Sequence, residues 1–360
     1  MRIGILGAGQ LGRMLAQAGE PLGHTFTFYD VAPGEATTGI GKTIVGGFSD
    51  LEKLEAFARE CDVITYEFEN VPCESAQFLA TIRPVYPPPS ALEISQDRVR
   101  EKTFVSELGL ATPQFEPAST KDQLIKACDT VGYPCIIKTR RLGYDGKGQA
   151  RATDRESLER IWEELGEAPL IVEALVSFSR ELSVIGARDT KGTIAVYPLA
   201  HNTHVQGILH RTEIPAPSLT PATLESAHSI ISTIMEALDY VGVLTVELFD
   251  VEGTLRINEL APRVHNSGHA SIDSMKASQF ENHMRAITSM PLGSVEPLDR
   301  AVMYNIVGTL PPLRKVLELP RTKVHLYNKS ERAGRKIGHI TILDPTPESE
   351  AIIIEALAAR

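Results

Sequence analysis

Apolar residues along this chain recur at every second position in some stretches and at every third or fourth in others, and the switches between the two periods mark the elements. "RIGIL" (2–6), "HTFTFYD" (24–30), "KTIVGG" (42–47) and "DVITYE" (62–67) read as strands. "QLGRMLAQAG" (10–19) and "SDLEKLEAFARE" (49–60) read as helices, the second with a capping residue ahead of its apolar stripe. Strand and helix alternate, which predicts an α/β layer on a mostly parallel sheet. Pro87, Pro88 and Pro89 interrupt the pattern, and a helix follows from about Ser95.

The pattern then changes. A helix over 119–132 and the strand "PCIIK" (134–138) lead into a glycine loop. "LIVEALV" (170–176), "RELSVIGARD" (180–189) and "TIAVYPLAHNTHV" (193–205) predict strands of an antiparallel or mixed sheet. A long helix over 220–238 precedes the strands "VLTVELFD" (243–250) and "TLRINEL" (254–260), and a helix near 273–289 closes the region. Short strands follow at "AVMYNIVG", "KVHLYNK" and "GHITIL", with Pro311 and Pro312 between them. Three domains are expected, over 1–95, 96–290 and 291–360. There is no internal repeat and no low-complexity segment.

Two glycine loops carry candidate chemistry. "GAGQLG" (Gly7, Gly9, Gly12) leaves a strand and opens a helix, and Asp30 ends the next strand eighteen residues beyond Gly12. That spacing is close to a dinucleotide fingerprint. It equally suits glycines that let the helix pack tightly on the strand. The second loop, "RRLGYDGKGQ" (140–149), interleaves Gly143, Gly146 and Gly148 with charge behind the basic pair Arg140 and Arg141. It is not a P-loop, because Gly148 and Gln149 follow Lys147 where Ser or Thr would open a helix.

The strands 243–250 and 254–260 flank a hairpin turn signal at Glu252–Gly253. A three-residue loop sets Glu247 opposite Glu259, and a two-residue loop sets Glu247 opposite Asn258. Opposed glutamates repel unless a cation with oxygen ligands lies between them. Glu247 points away from the apolar Leu244, Val246 and Leu248, but Glu259 shares the parity of apolar Leu255 and Ile257.

Bulk properties narrow the class. A net charge of -10 argues against a nucleic-acid-wrapping surface while permitting a local basic pocket. The four cysteines are spread thinly, which suggests reduced thiols in a cytoplasmic protein rather than a zinc site or disulfide framework. No apolar run approaches the ~18 residues of a membrane helix, and the N-terminus lacks a signal-peptide core.

Lys138 at a strand end, the glycine loop, Glu173 to Val176, Glu181, and Glu247 with Asn258–Glu259 occur in an order that resembles the ATP-grasp superfamily. Within it, "GAGQLGRM", "TYEFENV", "GYDGKGQ", "AHNTH", "NELAPRVHNSGH" and "GRKIGH" resemble the N5-carboxyaminoimidazole ribonucleotide synthetases, from Gly7 to His339. Val264 and Ala333 stand where that family has proline, and Asn328 where glycine is usual. The resemblance implies an ATP-grasp fold with a Rossmann-like N-terminal domain and a small β-rich C-terminal domain. The implied reaction is ATP- and bicarbonate-dependent carboxylation of aminoimidazole ribonucleotide, in a cytoplasmic homodimer using Mg²⁺ or Mn²⁺. A formate-dependent ribonucleotide transformylase of the same superfamily is the nearest rival.

The same resemblance assigns residues. Arg98, Lys138, the flap Gly143, Tyr144, Asp145, Gly146, Lys147, Gly148 and Gln149, and Asn258 with Glu259 are expected on ATP. Glu173, Ala174, Leu175 and Val176 should meet adenine, with Glu181 on the ribose and His204 nearby. Glu247 and Glu259 should hold the metal. Lys138 is expected to act in catalysis, and Arg263 to hold bicarbonate or carboxyphosphate. Gln10, Leu11, Glu69, Tyr144, Asp145, Asn266, Lys329, Arg335 and Lys336 are expected on the ribonucleotide, in place of NAD at "GAGQLG".

Overall fold

The structure, a computed structural model, describes residues 1–143, 147–166 and 168–358. The N-terminal elements are β1 (Arg2–Leu6), α1 (Gln10–Gly19), β2 (Thr25–Asp30), β3 (Lys42–Val45), α2 (Leu51–Glu60), β4 (Val63–Tyr66) and α3 (Cys73–Ala80). Their strands form the expected parallel sheet, in the order β3-β2-β1-β4. Asp50 caps α2 by accepting from the Lys53 N–H at 3.1 Å.

The helix expected from about Ser95 is α5 (Arg98–Glu107), and a helix that was not expected, α4 (Pro89–Ser95), precedes it in the proline run. Asp97 sets the start of α5, because the Asp97 carboxylate caps it by accepting from Val99 and Arg100. Next come β5 (Phe115–Ala118), α6 (Lys121–Val131), β6 (Cys135–Thr139), β7 (Gln149–Ala152), α7 (Leu158–Glu164) and β8 (Leu170–Ala174). Their strands form an antiparallel sheet in the order β5-β8-β6-β7.

The largest sheet begins with β9 (Arg180–Arg188), β10 (Ile194–Val196), β11 (Ala200–Val205) and β12 (Ile208–Ile214). The single strand expected over 193–205 divides at Tyr197–Pro198, where proline has no N–H for a ladder. After α8 (Pro221–Ala237) come β13 (Gly242–Val251), β14 (Thr254–Ala261), α9 (Ser271–Ser274) and α10 (Gln279–Ile287). The helix expected over 273–289 is thus broken, because Ser278 caps a new start by accepting from the Glu281 N–H. The chain ends in β15 (Ala301–Val307), α11 (Leu313–Leu317), β16 (Thr322–Leu326), β17 (Lys336–Leu343) and α12 (Pro347–Ala358). Sheet order is β14-β13-β9-β11-β12-β15-β17-β16, with β10 paired to β9. The last three strands therefore continue the sheet of the middle region through the β12–β15 pairing.

Core packing fixes the N-terminal layer on this sheet. Met14 and Leu15 of α1 share one buried cluster with Phe280 and Met284 of α10 and with Ile185 and Val243 of the large sheet. The four cysteines are free and buried. Among the described residues no helix is long and apolar enough to cross a membrane.

The β13–β14 hairpin turns through two residues, Glu252 and Gly253, both at positive φ (53° and 88°). That is the mirror-image turn whose twist suits a hairpin. An added Cβ at Gly253 meets nothing within 4 Å, so substitution there tests backbone strain alone. Gly253→Ala should cost about 1 kcal/mol in denaturant unfolding and Gly253→Asn less, because asparagine tolerates the left-handed region.

Candidate active site

A two-residue turn would by itself pair Glu247 with Asn258. Instead the register runs Val251↔Thr254 to Leu248↔Ile257, skips Asn258, and resumes at Glu247↔Glu259. The skipped residue is a β-bulge. It also settles the parity conflict in the sequence. Leu255 and Ile257 stay buried on the core face, while beyond the bulge Glu259 joins Glu247 on the opposite one.

Burial, then the Glu259 charge, push the Glu247 carboxyl up to about 7. Asn258 Nδ2 lies 3.5 Å from Glu247 Oε2, and His265 Nε2 lies 3.3 Å from its Oε1. Burial holds the His265 imidazole well below its ordinary value, so the ring is neutral. Glu259 receives Arg98 at 3.0 Å, and Arg98 also reaches the Gly143 carbonyl at 3.2 Å. No cluster of three or more His, Cys, Asp or Glu suited to a metal occurs among the described residues. Two opposed carboxylates with an adjacent amide still fit Mg²⁺, which uses one or two carboxylates and completes its octahedron with water and phosphate oxygens.

The four-stranded sheet supplies a second group. Lys138 on β6 donates to Glu173 on β8 at 2.9 Å, and Lys102 lies 3.6 Å from the other Glu173 oxygen. The Glu173 carboxylate is thus buried between two lysines. Ala174 ends β8, followed by exposed Leu175 and half-buried Val176. Gln149 opens β7 opposite Lys138. Thr139 Oγ1 would stand 2.7 Å from a Cβ at Gly148, whose φ is +69°. Lys147 precedes it, whereas Tyr144, Asp145 and Gly146 lie outside the described residues. The basic pair before the loop is engaged elsewhere, Arg140 with Asp97 at 2.7 Å and Arg141 with Gln96 at 2.9 Å. Across the large sheet, Glu181 and His204 pair at 2.8 Å.

A third group gathers the two ends of the chain. Lys329 donates to Gln10 at 2.7 Å, and Arg335 pairs with Glu35 at 3.1 Å. A cleft of about 630 Å³ lies beside them, lined by Arg13, Glu35, Asn328, Lys329 and Ser330 among others. Burial, then the Arg335 charge, lower the Lys329 ammonium to about 8. The Leu11 side chain is buried in the core, which leaves only its backbone for a ligand. Arg263 is paired through Nε with Glu69, and Asn266 exchanges amide hydrogen bonds with Asn305 of β15 at 3.0 and 2.6 Å. Lys336 opens β17, and its charge helps lower His265 and His269.

Glu67 was not singled out in the sequence, although it lies in "TYEFENV". Its carboxylate accepts from the N–H groups of Gly9 and Gly12, the latter at 2.6 Å, while Asp30 accepts from Ala8 at 2.8 Å. The N–H groups that a dinucleotide pyrophosphate needs are therefore held by the chain's own carboxylate. Glu101, Lys102 and His265 were missed as well. Arg98, Glu101 and Lys102 follow i, i+3, i+4 spacing, which puts three charges on one helix face.

Comparison with known proteins extends this geometry. Residues 1–96 match the ribonucleotide synthetase preATP-grasp domain, 103–280 the ATP-grasp domain, and 301–351 the phosphoribosylaminoimidazole carboxylase C-terminal domain. An N5-carboxyaminoimidazole ribonucleotide synthase of Pseudomonas aeruginosa is 42% identical over 342 residues, 95% of this chain and 94% of that protein. The crystal structure of the Thermus thermophilus synthetase is 44% identical with a TM-score of 0.95, covering 99% of each chain. An Aspergillus clavatus synthase, solved with ADP and 5-aminoimidazole ribonucleotide, is 28% identical with a TM-score of 0.91, covering 100% of this chain and 99% of that one.

Two outcomes follow from the charges. Glu247 sits above its ordinary 4.5 when folded. The folded state therefore keeps a proton that the unfolded chain releases between pH 4.5 and about 7, and stability falls as pH rises through that window. In metal-free protein at pH 8, Glu247→Gln should be more stable than the parent by on the order of 1–3 kcal/mol, and the difference should vanish near pH 4.5. Thermal unfolding across pH checks it. Glu67→Ala strands the buried Gly12 N–H and the partly buried Gly9 N–H. It should destabilise by roughly 1–3 kcal/mol for the buried group and less for the other, while NAD should give the parent no thermal protection.

Proposed function

The chain belongs to the N5-carboxyaminoimidazole ribonucleotide synthase family of ATP-grasp ligases, and from that premise we propose how its residues divide the work. It converts aminoimidazole ribonucleotide to N5-carboxyaminoimidazole ribonucleotide in purine biosynthesis, and it binds ATP and ADP. In our reading bicarbonate attacks the γ-phosphate, giving carboxyphosphate and ADP. The exocyclic amine of the ribonucleotide then takes the carboxyl group, the bond to phosphate breaks, and a proton leaves the nitrogen.

The observation that carries this reading is the segment Arg263 to Asn266. It meets the carboxylate pair through His265, the N-terminal layer through Arg263 and Glu69, and the C-terminal strands through Asn266 and Asn305. A site that joins ATP, an acid anion and a ribonucleotide needs such a junction. Glu247 and Glu259 would hold Mg²⁺ or Mn²⁺, which supplies positive charge to the phosphates. Arg98 and Lys138 would move from their carboxylate partners to phosphate oxygens and offset charge developing in a loose transfer. Segment 173–176 would offer backbone groups to adenine, with Glu181 and His204 on the ribose side. Arg263, oriented by Glu69, presents a planar fork to bicarbonate or carboxyphosphate. Gln10, Asn266, Lys329, Arg335 and Lys336 would take the ribonucleotide. The glycine flap would exclude water from an intermediate that hydrolyses readily. A homodimer belongs to the same proposal, and sedimentation checks it.

ADP release with each substrate omitted in turn should require bicarbonate and the ribonucleotide together, and formate should not replace bicarbonate. Lys329→Met or Arg335→Met removes a charge-assisted phosphate contact of roughly 1.5–3 kcal/mol. Ribonucleotide affinity should fall about 10- to 150-fold with ATP affinity unchanged. A thermal-shift titration with each ligand measures both, and a variant that loses ATP binding while keeping the ribonucleotide overturns the assignment.

A further inference from the structure

β14 is the edge of the large sheet. An edge strand leaves its outward N–H and C=O groups without a ladder partner. Here helix α5 and the segment after it take that place. Ile257 N–H donates to the Ala111 carbonyl at 2.8 Å, and Thr112 Oγ1 donates to the Ile257 carbonyl at 3.0 Å. Lys102 Nζ donates to the Asn258 carbonyl at 3.0 Å and to Thr112 Oγ1 at 3.1 Å. The Leu260 N–H donates to the Glu101 carboxylate. Glu101 and Lys102 are each 3% exposed, so these bonds form away from solvent competition.

The bulge they grip has two possible positions. The hydrophobic pattern requires Ile257 and Leu260 on the core face, so one residue between them must be unpaired. If Asn258 is skipped, Glu259 opposes Glu247. If Glu259 is skipped, Asn258 opposes Glu247 and Leu260 still faces the core opposite Val246. Both arrangements keep the same turn and the same buried residues. Electrostatics in the metal-free protein favours the second, since like charges directly opposed are destabilising. The observed structure has the first.

We propose that Glu101 and Lys102 are positioning residues that select the bulge at Asn258 and thereby aim Glu259 at Glu247. Lys102 holds the carbonyl just before Glu259 and Glu101 the N–H just after it, while Arg98 draws the Glu259 carboxylate to the same side. Moving the unpaired residue by one re-aims the peptide groups on both sides of Glu259 and breaks both bonds.

The inference rests on reading Glu247 and Glu259 as cation ligands, so the experiment separates the two. Mn²⁺ affinity is measured by electron paramagnetic resonance with a non-hydrolysable ATP analogue present. Exchange of the Leu260 amide is followed in the metal-free protein. Glu101→Leu should weaken Mn²⁺ binding at least tenfold and speed Leu260 exchange by a similar factor. Ribonucleotide affinity should stay within twofold of the parent. Glu101→Gln keeps an acceptor oxygen and should restore both readouts. Lys102→Met leaves Glu173 its Lys138 partner and should weaken Mn²⁺ binding likewise, so it carries the test if the leucine variant does not fold. Wild-type Mn²⁺ affinity in folded Glu101→Leu or Lys102→Met overturns the positioning role, and so does a glutamine variant as impaired as the leucine one. Glu259→Gln is the control: unchanged Mn²⁺ affinity there overturns the metal reading itself.

Discussion

Two carboxylates face one another across the β13–β14 hairpin in a setting where burial disfavours charge on Glu247. Left alone, this pair opposes folding. Its surroundings are arranged to tolerate it. Arg98 pairs with one member, and a neutral histidine and an asparagine amide approach the other. The charge is offset but not cancelled, and the proposed divalent cation would complete the compensation. A fully neutralised pair would be more stable and would bind a divalent ion less well.

That arrangement depends on elements far apart in the chain. Helix α5 lies about 150 residues before β14 and carries Arg98, Glu101 and Lys102 on one face. The loop after β14 then reaches the other regions, Arg263 to Glu69 and Asn266 to Asn305. The shared core between α1 and α10 keeps the N-terminal layer in place against the sheet. Side chains from distant regions are thus held at one junction, and under the proposed division of roles this would remove much of the entropic cost of bringing reactants together.

The N-terminal glycine loop shows how one local signature can serve different occupants. Its strand-turn-helix geometry is that of a dinucleotide site, and its glycines do permit close approach of an anion. The anion is the Glu67 carboxylate, with oxygens on Gly9 and Gly12. A Cβ at Gly9 would stand 2.5 Å from one of those oxygens. The glycines are therefore needed for an internal contact, and the next residue, Gln10, meets Lys329 from the far end of the chain.

The strands of the parallel sheet, the long helix α8 and the carboxylate hairpin were legible because each rests on local periodicity and turn chemistry. So was the order of Lys138, Glu181, Glu247 and Glu259, which made the family resemblance readable. The start of α5 at Asp97 and the splits at Pro198 and Ser278 were signalled by residues whose capping or missing N–H overrides an apolar run. The helix α12 was overlooked in a segment read for strands. Other features had no local signal. Whether Asn258 or Glu259 leaves the ladder is undecided by hydrophobic pattern, since both choices bury the same side chains. Glu67 reads as one more polar residue until a fold brings it 2.6 Å from Gly12. The sequence by itself determined which elements form and which residue types are available. Only the tertiary structure decided which charges meet, because hydrogen bonds and ion pairs between distant segments depend on ångström-scale placement that periodicity does not encode.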